Sequence, residues 1–194
     1  VRLVLMFIDL ELFRLPPHSG DDTEAFHLEG VQIFTDPSTF NDVVRGTYSK
    51  FLGIFYLMFG PERILAQFFN VILGVVAVVI LAKTLQRLRL PERYVFAATL
   101  IFAFFPQGLL LSPILLRDQI VALGIVYTLY YMVRWTEEKS GWYMVLAYLG
   151  YFVSTMFHSG LAVGIVVLLV YFSFYSHETR RMDFEPTKVQ RLIF

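Results

Sequence analysis

The sequence predicts an all-α fold, a polytopic bundle of about five to six transmembrane helices whose acidic outer loop carries short interfacial helices. Three observations predict it. Of 194 residues, 57% are hydrophobic and only 16% charged, against roughly 25% charged in a soluble domain, and mean hydropathy is +0.61. Several uncharged stretches approach or exceed the roughly 20 residues a helix needs to cross a bilayer. Basic residues gather in alternate connections, as orientation by the positive-inside rule requires. Aromatics reach 17%, with 20 Phe and 11 Tyr, which suits interfacial belts.

The elements follow in order. Residues 1–13 are apolar but carry Asp9 and Glu11 and lack a small-residue cleavage site, so they are not a signal peptide. They are too short to span, and residues 1–15 read as the end of a first span in a fragment of a longer chain. Residues 16–62 form an outer loop. Within it 48–59 is an interfacial helix, ended by Gly60-Pro61. The second span is 64–82, and 94–116 is a third, containing Pro106 and Pro113. A shorter span, 119–133, lies between Arg117-Asp118 and Arg134. The uncharged run 141–176 is too long for one helix and divides at His158-Ser159-Gly160 into spans near 142–157 and 160–176. A tail, 177–194, completes a single transmembrane domain, with no internal repeat.

Charge sets the orientation. Connections 83–93 and 134–141 and the tail hold Lys83, Arg87, Arg89, Arg93, Arg134, Lys139, Arg180, Arg181, Lys188 and Arg191. They fall on one side, read as cytoplasmic, of what is taken as a bacterial inner membrane. The opposite side receives the loop with Asp21, Asp22, Glu24, Glu29, Asp36, Asp42 and Glu62, the Arg117-Asp118 corner and the His158 turn. Formal net charge is zero, so no basic field calls for nucleic acid. With no cysteine there is no thiolate metal site. Phosphate-loop, His-Glu-x-x-His and Gly-x-Ser-x-Gly signatures are missing, which sets aside ATP-driven transport by this chain alone.

Four sites in this frame bear on chemistry. Asp21-Asp22 follows Ser19-Gly20, a turn that brings carboxylates to a membrane surface as general bases or cation ligands; the same residues also make an ordinary helix start. Arg117 offers a planar fork of donors to a lipid phosphate, or marks the interface while Asp118 opens the next helix. Pro113 before it implies irregular backbone at depth, which needs protein or water around it. His158 contacts an anionic head group, shuttles a proton, or is a turn histidine satisfied by backbone. Gln67 and Asn70 face inward one turn into the second span, as interhelical hydrogen bonds.

On these residues the chain resembles the GT-C superfamily of membrane glycosyltransferases. HSGDDTEAFHLEG (18–30) is similar to the family's first outer loop, a Gly-Asp motif followed by an aromatic and a short helix. Residues 48–88 resemble its interfacial helix, an Arg-containing start to the next span and a basic turn, and 103–135 its Pro-containing span with an Arg-Asp corner. TMFHSGLAVGIVVLL (155–169) and LLRDQIVALG resemble the related exopolysaccharide and O-antigen polymerases. Members normally have more spans than this chain shows.

The resemblance implies transfer of a sugar from a polyprenyl-phosphate-linked donor on the outer face. Asp21, then Asp22, would take the proton of the attacking hydroxyl. Arg117, His158 and Arg63 would meet the leaving phosphate, with Arg63 serving equally as an interfacial anchor. A divalent cation, Mg²⁺ or Mn²⁺, bridging carboxylate and phosphate is compatible with this chemistry but not specified by the sequence. The alternatives are a transporter or channel component, and a non-catalytic assembly subunit completed by membrane protein partners.

Overall fold

The structure is a computed structural model. It describes residues 1–13, 15, 22–176 and 181–182. Helix α1 (Arg2–Phe7) runs into a π-helical turn (Ile8–Leu12). Next come α2 (Asp22–Thr35), a 3₁₀ turn (Pro37–Asn41), α3 (Thr47–Phe59) and α4 (Arg63–Arg87). Then follow α5 (Glu92–Phe104), α6 (Pro106–Leu111), α7 (Asp118–Glu138), α8 (Gly141–Phe157), a 3₁₀ turn (Ser159–Ala162) and α9 (Val163–Phe174). Tyr175–Ser176 pairs antiparallel with Arg181–Met182.

The helix expected over 48–59 is present. α3 is bounded by Gly46 and Gly60, at φ +82° and +89°, backbone that a Cβ would disfavour. The expected break at His158 is also present. There the chain leaves α8 in extended conformation (φ −143°, ψ 91°) before α9 begins.

Two expectations are corrected. Among the described residues only α4 is long and apolar enough to cross a membrane on those criteria alone, so the five to six spans are not met by length. At about 1.5 Å per residue its 25 residues reach about 37 Å, whereas the 17 of α8 reach about 25 Å. The stretch 94–116 is not one span either. α5 stops at Phe104, and Phe105 is extended (φ −56°, ψ 122°) because the ring of Pro106 disfavours helical backbone before it. After the short α6, residues 112–117 are non-helical.

Packing fixes the helix directions. α7 and α8 are antiparallel and approach closely. Thr128 Oγ1 donates to Gly124 O (2.8 Å) and to Ala147 O across the pair (3.1 Å), and Ser154 Oγ donates to Val121 O (3.0 Å). A Cβ on Gly150 would lie 2.6 Å from the Tyr127 ring and 3.1 Å from Gly124 O. α4 lies beside α7, and α1 runs antiparallel to α4, with Arg2 beside Gly74 and Asp9 beside Gln67. Large apolar side chains stay exposed on α4 (Val75, Val79), α5 (Phe96, Ile101) and α9 (Val163, Val166, Val167). The buried core gathers instead at one end, where the α2–α3 hairpin covers 111–120.

The other end holds charge. Arg87 pairs with Glu137 (2.9 Å) and Glu138 (3.4 Å), and Arg134 Nε donates to Glu138 (2.8 Å). The connections 83–93 and 134–141 therefore meet at one end, as the charge pattern requires. Arg134 first, then Tyr143, hydrogen-bonds the Glu138 carboxylate and holds its pKa down from 4.5 to about 2.

Gly150→Val is expected to destabilise the α7–α8 pair by about 1–3 kcal/mol, read as a lower Tm in detergent. Gly141→Ala, whose added methyl meets nothing within 4 Å, should leave Tm near wild type. A carboxylate with a lowered folded pKa stabilises above its unfolded pKa and loses that contribution as pH falls through the folded one. The Glu138 contribution is therefore intact above pH 4.5 and disappears towards about 2. A Glu138→Gln variant should lose that part of the acid-dependent fall in Tm.

Candidate functional site

The capped end is where irregular backbone, buried polar groups and the sequence-selected residues meet. Ser112, Pro113, Ile114, Leu115 and Leu116 are buried without helical hydrogen bonds. Apolar surroundings leave their carbonyls no water, so protein must satisfy them. Asn70 does so. Its Nδ2 donates to Ile114 O (2.8 Å) and Leu116 O (3.1 Å), and lies 3.1 Å from the Tyr48 hydroxyl. Asn70 is seven residues into α4, so the Arg117-Asp118 corner sits about 10 Å below the helix start. The irregular backbone expected from Pro113 is present and is enclosed by protein.

Tyr48 is the meeting point. Burial pushes its phenol pKa well up, so it acts as a neutral hydrogen-bonding group. Its hydroxyl reaches Asn70 and so the corner before Arg117, and its ring packs edge-on to Phe157, the residue before His158 (centroids 6.4 Å). One turn earlier, Arg45 pairs with Asp22. Asp22, Arg117 and His158 thus lie towards the same end of the bundle. Asp21, the first-choice base, lies outside the described residues.

The three cationic candidates differ in what they already hold. The Arg117 side chain, half-buried, makes no hydrogen bond or ion pair among the described residues. The same is true of the exposed His158 imidazole. Arg63 is occupied. It pairs with Glu24 through Nη1 and stands 3.7 Å from Asp9 Oδ2 through Nη2. Asp118 is the first residue of α7, where a carboxylate suits the positive helix end.

Sequence reading missed Asp9 as a site residue. The π-helical turn carries it inward to 1% exposure, where it accepts from Gln67 Nε2 (2.8 Å) and the Leu15 N–H (2.9 Å). An ionisable residue in an apolar terminal stretch was the available signal. Glu24 and His27 were also passed over; His27 Nδ1 is 2.8 Å from the Tyr56 hydroxyl, joining α2 to α3. Among the described residues no three His, Asp or Glu side chains gather to hold a metal ion.

A sequence model of the dolichyl-phosphate-mannose-protein mannosyltransferase family matches residues 48–189, well over half of the chain. The chain belongs to this family. The mannosyltransferase family is part of the GT-C superfamily, so the GT-C resemblance is confirmed and the family implies a membrane glycosyltransferase of that type. Members are integral membrane proteins, which accounts for the uncovered apolar faces of α4, α5 and α9. The matched region holds Tyr48, Arg63, Asn70, Arg117 and His158, and begins after Asp9, Asp22 and Glu24. No curated protein and no solved structure matches the chain.

Replacing Asn70 with Leu removes a donor from Ile114 O, which keeps the Leu116 N–H, and from Leu116 O, an expected loss of about 1–3 kcal/mol. Limited proteolysis should then cut near 112–117, where wild type resists. Tyr48→Phe, which removes one acceptor and keeps the ring, should be milder by thermal unfolding.

Proposed function

We propose that this chain transfers a sugar from a polyprenyl-phosphate-linked donor at the capped end of the bundle, on the outer face of the membrane, with α4, α5–α6, α7, α8 and α9 traversing the bilayer together. The family supplies the reaction type and a lipid-linked donor. The observation that carries the placement is that Arg117, unpaired among the described residues, shares an end with the acidic cap, while the Arg87–Glu137–Glu138–Arg134 cluster lies at the other.

The chemistry divides among named groups. A sugar hydroxyl is a weak nucleophile near neutral pH, and a carboxylate in hydrogen-bond reach removes its proton as it attacks the anomeric carbon. Asp21 is assigned that task, with Asp22 second. Asp22 is already paired with Arg45. As the anomeric C–O bond breaks, negative charge grows on the polyprenyl phosphate. Arg117 donates to it through its planar fork and His158 through a ring N–H. Arg63 is left out of this set because two carboxylates already face it.

The test is transfer from a polyprenyl-phosphate-linked radiolabelled sugar in proteoliposomes. Asp21→Asn should abolish transfer in folded protein, and Asp22→Asn should slow it less. Arg117→Gln should reduce kcat/KM by about 10²-fold, the scale of one lost transition-state donor. EDTA, followed by Mg²⁺ or Mn²⁺, decides whether a cation bridges carboxylate and phosphate. Full transfer by Asp21→Asn and Asp22→Asn together contradicts the proposal. Sugar flux without transfer would instead identify a transporter.

A further inference from the structure

We infer that Arg63 is a positioning residue, a fixed point on α4 that holds the first turn of α2, and with it Asp22, at the capped end. The inference deepens the proposed transfer site and rests on that reading for what is positioned. Arg63 opens α4, the longest helix in the structure. Its Nη1 pairs with Glu24, in the first turn of α2, two residues after Asp22 and three after Asp21. Its Nη2 faces Asp9, which Gln67 from the next turn of α4 holds at 2.8 Å. One guanidinium thus ties α2 and the π-helical turn after α1 to the start of α4.

The tie matters because of what α2 otherwise touches. Its extended packing is with α3, sealed by Tyr56 between His27 and Gly30, and no helix of the bundle packs along it among the described residues. Through α3 the hairpin reaches α4 and α8 only lightly. The hairpin rests on the buried floor of residues 111–120 through Phe26, Tyr48, Leu52, Phe55 and Tyr56, and the Arg63 pair adds a polar contact aimed at the α2 start. The Arg63 side chain is 11% exposed and the Asp9 side chain 0%, so the Asp9 contact is little screened by solvent, while Glu24 is 33% exposed.

Arg63 Nη1 and Nη2 already face Glu24 and Asp9. Lysine does not reproduce the arrangement, because a point charge on a flexible stem cannot reach two carboxylates in fixed directions as a planar fork does.

The chain has no cysteine, so two introduced thiols are unique labelling sites. Spin labels at Leu28 on α2 and Ile72 on α4, both exposed, report the placement of the hairpin without reference to activity. In Arg63→Gln the Leu28–Ile72 distance distribution should broaden, and kcat should fall by about 10²-fold, the scale of an ångström of misplacement, with KM for the lipid-linked donor unchanged. Arg63→Lys should lie between. A raised KM at unchanged kcat would make Arg63 a substrate ligand and overturn the inference, as would an unchanged distance distribution. If wild type transfers no sugar, the proposed function fails while the distance measurement still decides the tie. Where Arg63→Gln does not fold, Glu24→Gln leaves the Asp9 contact in place and is read by the same two criteria.

Discussion

The capped end depends on one requirement, that backbone carbonyls removed from water must find donors in the protein. Between α6 and α7 the chain gives up helical hydrogen bonding for residues 112–117. Asn70 sits on the long apolar α4, and its side-chain amide crosses to Ile114 O and Leu116 O. Each such carbonyl left bare in apolar surroundings costs about 1–3 kcal/mol. With the carbonyls satisfied, the corner stays inside the bundle, Arg117 is held some way below the start of α4, and the α2–α3 hairpin has a buried floor of Ile114, Leu115 and Leu116 to cover. Without that floor the acidic cap has nothing apolar to rest on.

The two ends of the bundle are chemically unlike. At one, Arg87, Arg134, Glu137, Glu138 and Tyr143 satisfy one another at the surface. At the other, several buried polar groups have structural duties: Asp9 with Gln67, Asn70 on the corner, and Tyr48 against Asn70 and Phe157. Arg117 and His158 have no such duty among the described residues. A free cation beside paired ones is what recognition of an anionic substrate needs, because a pair that is already satisfied gains little by binding. The family supplies the reaction class for that arrangement.

Much of this was legible in the sequence where one local rule dominated. The α3 boundaries followed from flanking glycines, the α8–α9 break from a run too long for one helix, and the meeting of the basic connections from alternation. Asn70 and Gln67 were read as interhelical hydrogen bonds, and both are. The misreadings came where two rules competed. Hydropathy favoured one span over 94–116, and Pro106 broke it by restricting Phe105. The span count is unconfirmed by length, since among the described residues only α4 reaches crossing length alone. Asp9 and Glu24 were missed because their roles come from contacts 58 and 39 residues away, to Gln67 and Arg63, which no local window contains.

The most direct test of the account is which side of the membrane each end occupies. Single cysteines placed at Val44 in the cap, Ser159 beside the His158 turn and Arg89 in the basic connection can be labelled with a membrane-impermeant maleimide in intact cells. The account predicts labelling of the first two from outside, and of the position-89 thiol only after permeabilisation. Labelling of the cap and the His158 turn from opposite sides, or of both only from within, would contradict it.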